Sequence, residues 1–167
     1  FEHNFLWVLW NFLLILWRLN NDLLIFTTGE FSYFSLPDSM TTGSSIMPQK
    51  RNYDVLELIR AKNSLFFGYH DQMRNLYTHL ISGYQRDLQM TKTVFLSGCK
   101  IWNDTVQIMT HIIKELQINE VRLNASMTSD LFATEEVYKL VAQWKPFRDA
   151  YQEVKKGLLL AEEKLII

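Results

Sequence analysis

Little in this sequence offers a covalent, metal or strongly charged anchor. With a single cysteine, Cys99, no disulfide can form within the chain, which excludes a disulfide-stapled secreted scaffold. Cys99 falls on an apolar helical pattern, so a buried thiol is expected rather than a nucleophile, and a reducing, cytoplasmic compartment fits best. No Cys/His cluster stands at ligand spacing, so neither a structural metal nor a cofactor is expected. Lys and Arg (17) balance Asp and Glu (18), and no basic run interleaved with aromatics extends beyond Lys50 and Arg51. That pattern leaves no footprint for nucleic acid. No apolar run reaches the roughly 20 residues of a membrane-spanning helix. The longest, from Phe5 to Trp17, is interrupted by Asn11 and lacks the basic leader and cleavage site of a signal peptide.

What the chain does have is length and grease: 167 residues, 48% of them hydrophobic, enough to bury a core. Asn4, Asn11 and Arg18 recur every seven residues and draw one narrow polar stripe down an otherwise apolar cylinder. This predicts a helix in the middle of a bundle, with partners from this chain or from other subunits. The pattern starts at Phe1 without a cap or leader, and the chain is expected to be part of a longer protein.

A segment from Phe31 to Asn52, with Pro37, Gly43, Pro48 and many Ser and Thr residues, reads as loop. An irregular stretch of that length in a compact domain is usually functional or disordered. From Asp54 the period resumes: Val55, Leu58, Ile59, Leu65, Phe66, Tyr69, Met73, Leu76 and Leu80 predict a second long helix. After a break at Ser82-Gly83, Val94, Ile101, Trp102, Val106, Met109, Ile112 and Ile113 predict a third. The rhythm lapses near Asn119 to Ser129, and shorter helices follow, one starting at Pro146, where proline suits a first turn. Nothing after Asp54 alternates like a strand. The fold class is therefore all-α, with a bundle portion over residues 1–122 that carries the loop 38–53, and a small helical domain over 123–167.

Within the loop, Gly43-Ser44-Ser45-Ile46-Met47-Pro48-Gln49-Lys50-Arg51-Asn52 concentrates small, polar and cationic groups beside a helix start. Glycine permits a tight turn, and amides of such a turn and of a helix amino terminus can hold an anion such as a carboxylate. A lysine nearby favours the alkoxide form of a serine hydroxyl, which then serves as a base. The bland alternative is a flexible Ser/Thr-rich loop with a solvated lysine.

The pattern Gly-Ser-Ser-x-Met-Pro-x-Lys-x-Asn resembles the signature of the fumarase, aspartase and argininosuccinate lyase superfamily, and residues 43–52 match every fixed position. The resemblance extends through 31–38, through Asp54 to Lys62, through Ser82 to Gln89 with Lys92, and through Leu131 to Thr134 and Lys145 to Arg148. Gln49, the Leu-Glu-Leu-Ile-Arg run from Leu56 and the Tyr84-x-x-Asp87-Leu88-Gln89-x-x-Lys92 block resemble the argininosuccinate branch. Tyr53 and the pair Met90-Thr91 depart from the usual pattern.

The resemblance implies a long-helix bundle in a homotetramer and β-elimination of argininosuccinate to arginine and fumarate. It implies Ser44 as the base, Lys50 beside it, and Glu57 paired with a histidine of another subunit. Substrate contacts would come from Ser45, Asn52, Tyr84, Gln89 and Lys92. Other readings stand beside these. Ser45 suits turn hydrogen bonding, Asn52 a helix cap, and Asp54 with Glu57 a capping box. Gln89 and Lys92 fall on one helical face. His3, His70, His79 and His111 match no catalytic position. The superfamily gathers each site from three subunits, and its upstream blocks are absent from this sequence, so the chain alone is expected to be inactive. The alternatives are a crystallin-like structural protein on the same scaffold or a related lyase such as an adenylosuccinate lyase.

Overall fold

The computed structural model describes residues 1–165, with side chains described through Leu160. Helices dominate: α1 (Glu2–Phe26), α2 (Asp54–Tyr77), α3 (Thr91–Glu115), α4 (Glu120–Ser126), α5 (Ala133–Ala142) and α6 (Phe147–Leu165). They fall into two compact units, Phe1 to Asn119 and the remainder from Glu120.

In the first unit α1, α2 and α3 run up, down and up. Asn20, late in α1, donates to the backbone carbonyl of Leu56, early in α2, at 2.9 Å. At the other end the Tyr77 hydroxyl donates to Glu2 at 3.5 Å. Lys62 and Asp104 join the middles of α2 and α3 at 3.6 Å. Two apolar clusters stack along this bundle. Leu6, Leu9, Leu13, Phe66 and Met73 pack near one end, and Leu23, Leu36, Leu56, Ile59, Met109 and Ile112 pack near the other, under the loop. In the second unit α5 and α6 pack together over buried Val137 and Ala150, and Lys145 pairs with Glu153.

The structure corrects several expectations. The buried face of α2 is Leu56, Ile59, Asn63, Phe66 and Met73, whereas Leu58 and Leu65 are 62% and 58% exposed. The helix is apolar on two faces, and only one meets α1 and α3. Likewise α1 buries Leu6, Leu9, Leu13 and Leu23 but leaves Trp7, Val8, Phe12 and Ile15 exposed. At 25 residues α1 is also long and apolar enough to cross a membrane by length and composition. The run from Phe5 to Trp17 understates it, because Leu19 and Leu23 to Phe26 continue the helix beyond Arg18. The segment read as plain loop contains β1 (Phe34–Ser35), which pairs antiparallel with β2 (Gln117–Ile118) after α3. Strands of two residues are too short to show alternation.

At the end of the bundle away from the loop, the His70 ring stacks on Trp10, with centroids 5.6 Å apart, and lies 5.1 Å from the His3 ring. Burial first, then His3, lowers the His70 pKa below its ordinary 6.5; Asp71 opposes this and Arg74 adds to it. The unfolded chain therefore binds this proton more readily than the folded one. The contribution to stability is complete above pH 6.5 and is lost as the pH falls below it toward the folded-state value. The midpoint of thermal unfolding should drop from neutral to mildly acid pH, and His70→Phe, which keeps a ring against Trp10, should flatten that dependence. An unchanged slope in the variant would place the acid sensitivity elsewhere.

Candidate functional site

Residues 43–51 form an exposed arch whose two feet are tied together. The Thr42 amide donates to the Asn52 carbonyl at 3.0 Å, and the Asn52 amide returns a bond to the Thr42 carbonyl at 2.9 Å. The Thr42 hydroxyl donates to the Asp54 carboxylate in the first turn of α2. Arg51 pairs with Asp38 at 3.1 Å, and the Thr41 hydroxyl donates to the Asp38 carbonyl at 3.1 Å.

Inside the arch, half-buried Ser44 turns its Oγ toward the chain that follows, accepting from the amides of Ile46 and Met47 at 3.3 and 3.2 Å. Two N–H donors on one oxygen favour its negatively charged form. The Lys50 amide closes a tight turn onto the Met47 carbonyl at 3.0 Å, with Pro48 where its fixed φ suits the turn. Ser45 and Lys50 are exposed, and Lys50 joins no ion pair among those described.

The capping readings are not realised. Tyr53 is the N-cap of α2 and makes no side-chain capping bond. Asn52 is held by its backbone, and the Asp54 carboxylate is engaged by Thr42, so Asp54 and Glu57 do not form a capping box. Both acids nonetheless sit in the first turn, where negative charge complements the helix dipole. Glu57 is exposed and lines an open cleft of about 680 Å³ with Trp17, Asp54, Arg60 and Ser64.

Tyr84, Gln89 and Lys92 are exposed at the opposite end of α2. Its 24 residues span roughly 36 Å at about 1.5 Å per residue. Gly83, at φ +99°, makes the turn that leads into Tyr84. Gln89 and Lys92 do not share a regular helical face, because Gln89 lies in a 3₁₀ turn (Arg86–Met90) and α3 begins only at Thr91. Ser44, Ser45, Lys50, Asn52 and Glu57 thus gather at one end and Tyr84, Gln89 and Lys92 at the other. One small substrate cannot touch both sets in a single copy of the chain.

Sequence reasoning missed the root of the arch. Thr42, Asp54, Val55 and Leu58 share an open cleft of about 580 Å³ with Gln107, Ile108 and His111 of α3. Only the antiparallel packing of α3 on α2 brings His111 there, and no local pattern announces it. Among the described residues no group of three or more His, Cys, Asp or Glu is placed to hold a metal ion.

Residues 3–68 match the family described as Lyase. The chain is 43% identical over 149 residues to an argininosuccinate lyase of Parabacteroides distasonis, covering 89% of this chain and 33% of that protein. It is 37% identical over 147 residues to a probable argininosuccinate lyase of Schizosaccharomyces pombe, covering 88% of this chain and 32% of the relative. Among solved structures, EDDS lyase in complex with formate superposes with a TM-score of 0.76 at 21% identity, covering 95% of this chain and 32% of that one. The chain therefore spans about a third of the length of the relatives it matches. These likenesses converge: residues 3–68 match the Lyase family, and the curated relatives that the chain resembles over most of its length are argininosuccinate lyases.

Proposed function

We propose that this chain supplies the base-bearing loop and a second, distant contact block of an argininosuccinate lyase. The base is Ser44. Its Oγ takes a proton from the carbon next to a substrate carboxylate, and the electron pair moves onto that carboxylate. The C–N bond then breaks with its electron pair going to the nitrogen, which takes up a proton as arginine leaves, and the pair held on the carboxylate returns to form the double bond of fumarate. Negative charge sits first on Ser44 and then on the carboxylate, and fixed positive charge and amides answer it in both places. Lys50 supplies the charge, the Ile46 and Met47 amides support the alkoxide, and Ser45 and Asn52 contact the substrate. Glu57 belongs to the proton-handling group at the start of α2. Tyr84, Gln89 and Lys92 hold substrate in a different site, formed with another copy. That division is the reason to expect sites shared between copies and no activity from the isolated chain; the likeness to argininosuccinate lyases is the reason to expect a homotetrameric, cytoplasmic enzyme of arginine biosynthesis.

The observation that carries this reading is the signature loop closed into an exposed arch with Ser44 engaged by two amides, in a chain 43% identical to an argininosuccinate lyase. It is tested by a chimera in which this chain replaces the matching third of that bacterial relative. The expected result is fumarate released from argininosuccinate by the chimera and none by the chain alone. A chimera that folds and assembles but releases no fumarate overturns the reading.

A further inference from the structure

We propose that Asp54 is the positioning residue of the signature loop: its carboxylate holds the Thr42 hydroxyl, which locks the root of the arch and sets the direction in which Ser44 is presented. The catalytic half of this statement rests on the function proposed above; the mechanical half does not.

No residue from Gly43 to Arg51 is buried, so packing does not hold the arch in shape. Its conformation depends on the local turns and on what ties its feet. Three ties are present, and they differ in strength. The Thr42–Asn52 pair is an isolated bridge, with no further ladder to keep it from fraying. The Arg51–Asp38 ion pair is exposed, with side chains 60% and 77% accessible, where such a pair contributes little. The Thr42–Asp54 bond is exposed as well, but it is charge-assisted and stands on the first turn of a 24-residue helix that is anchored by buried Leu56 and Ile59. It alone links the arch to a rigid element through a side chain. It also lies two residues from Ser44 in sequence, so a slip at Thr42 is passed to the base over a very short lever. The 580 Å³ cleft beneath Thr42 and Asp54 leaves room for that slip when the bond is absent.

The test uses the chain as it stands. Trypsin cuts after Lys50 and Arg51, so the initial rate of cleavage there reports how often the arch opens. Thr42→Val, which keeps shape and removes the donor, should raise that rate about tenfold, the effect of losing one charge-assisted hydrogen bond. Asp54→Ala should do the same, and Thr42→Ser, which keeps the hydroxyl, should cut at close to the original rate. Circular dichroism confirms that each variant retains its helices. If Thr42→Val is cut no faster than the parent, or Thr42→Ser is cut as fast as Thr42→Val, the proposal fails. In the chimera, Thr42→Val should lower kcat about tenfold with KM little changed, and Thr42→Ser should restore it. An inactive chimera alongside the expected proteolysis pattern overturns the proposed activity and leaves the lock standing.

Discussion

Ser44→Ala, introduced into the active chimera, should lower kcat for fumarate release by about 10²–10⁴-fold, the usual worth of a positioned general base. KM should change little, because the hydroxyl acts on a proton in transit rather than on the bound ground state. The proposed role falls to this serine and not to Ser45 because Ser44 Oγ receives the amides of Ile46 and Met47, whereas Ser45 is exposed on the arch. Ser45→Ala should therefore cost far less. Lys50→Met should cost a fraction comparable to Ser44→Ala, since it removes the cation that offsets both developing charges. Steady-state rates with argininosuccinate, followed by the ultraviolet absorbance of fumarate, decide the matter. A Ser44→Ala enzyme within a few-fold of the parent would remove Ser44 from the role of base.

The motif was legible in the sequence because its meaning is local: glycine, two small polar residues, a proline turn and a lysine sit within ten positions, and the turn closes as their chemistry dictates. The separation of Ser44 from Lys92 was not legible. The periodicity predicts a long second helix and a break at Ser82-Gly83, but only the traced helix shows that it carries the chain from the loop to the opposite end of the bundle. The same limit hid the partnership of Thr42 with Asp54. Asp54 followed three residues later by Glu57 reads as a helix start, and it does start the helix, but the partner of its carboxylate is twelve residues upstream. The two-ended arrangement has a functional consequence as well. A chain whose loop and Tyr84–Lys92 block stand at opposite ends of a helix roughly 36 Å long suits the proposed sharing of sites between copies, each copy giving its loop to one site and that block to another.

The largest expected loss of stability lies in the bundle at Phe66, and it also tests which face of α2 is the core. Periodicity counted Leu58, Leu65 and Phe66 alike, yet Phe66 is fully buried while Leu58 is 62% exposed. Phe66 packs with Leu6, Leu9, Leu13 and Met73, beside Gly98 of α3. A Cβ built on Gly98 would stand 2.9 Å from Leu6 Cδ2 and 3.6 Å from Phe66 Cε2, so side chains of α1 and α2 pack directly against the α3 backbone there. Phe66→Ala should therefore leave a cavity rather than a collapsed core and cost about 3–5 kcal/mol. Against a total of about 5–15 kcal/mol for a domain, that is a large fraction of the stability. Leu58→Ala, on the exposed face, should cost within about 0.5 kcal/mol in the isolated chain. Urea unfolding followed by circular dichroism separates the two. Equal midpoints for Phe66→Ala and Leu58→Ala would mean that α2 does not pack on α1 and α3 through Phe66, and that the bundle holding the loop is arranged differently.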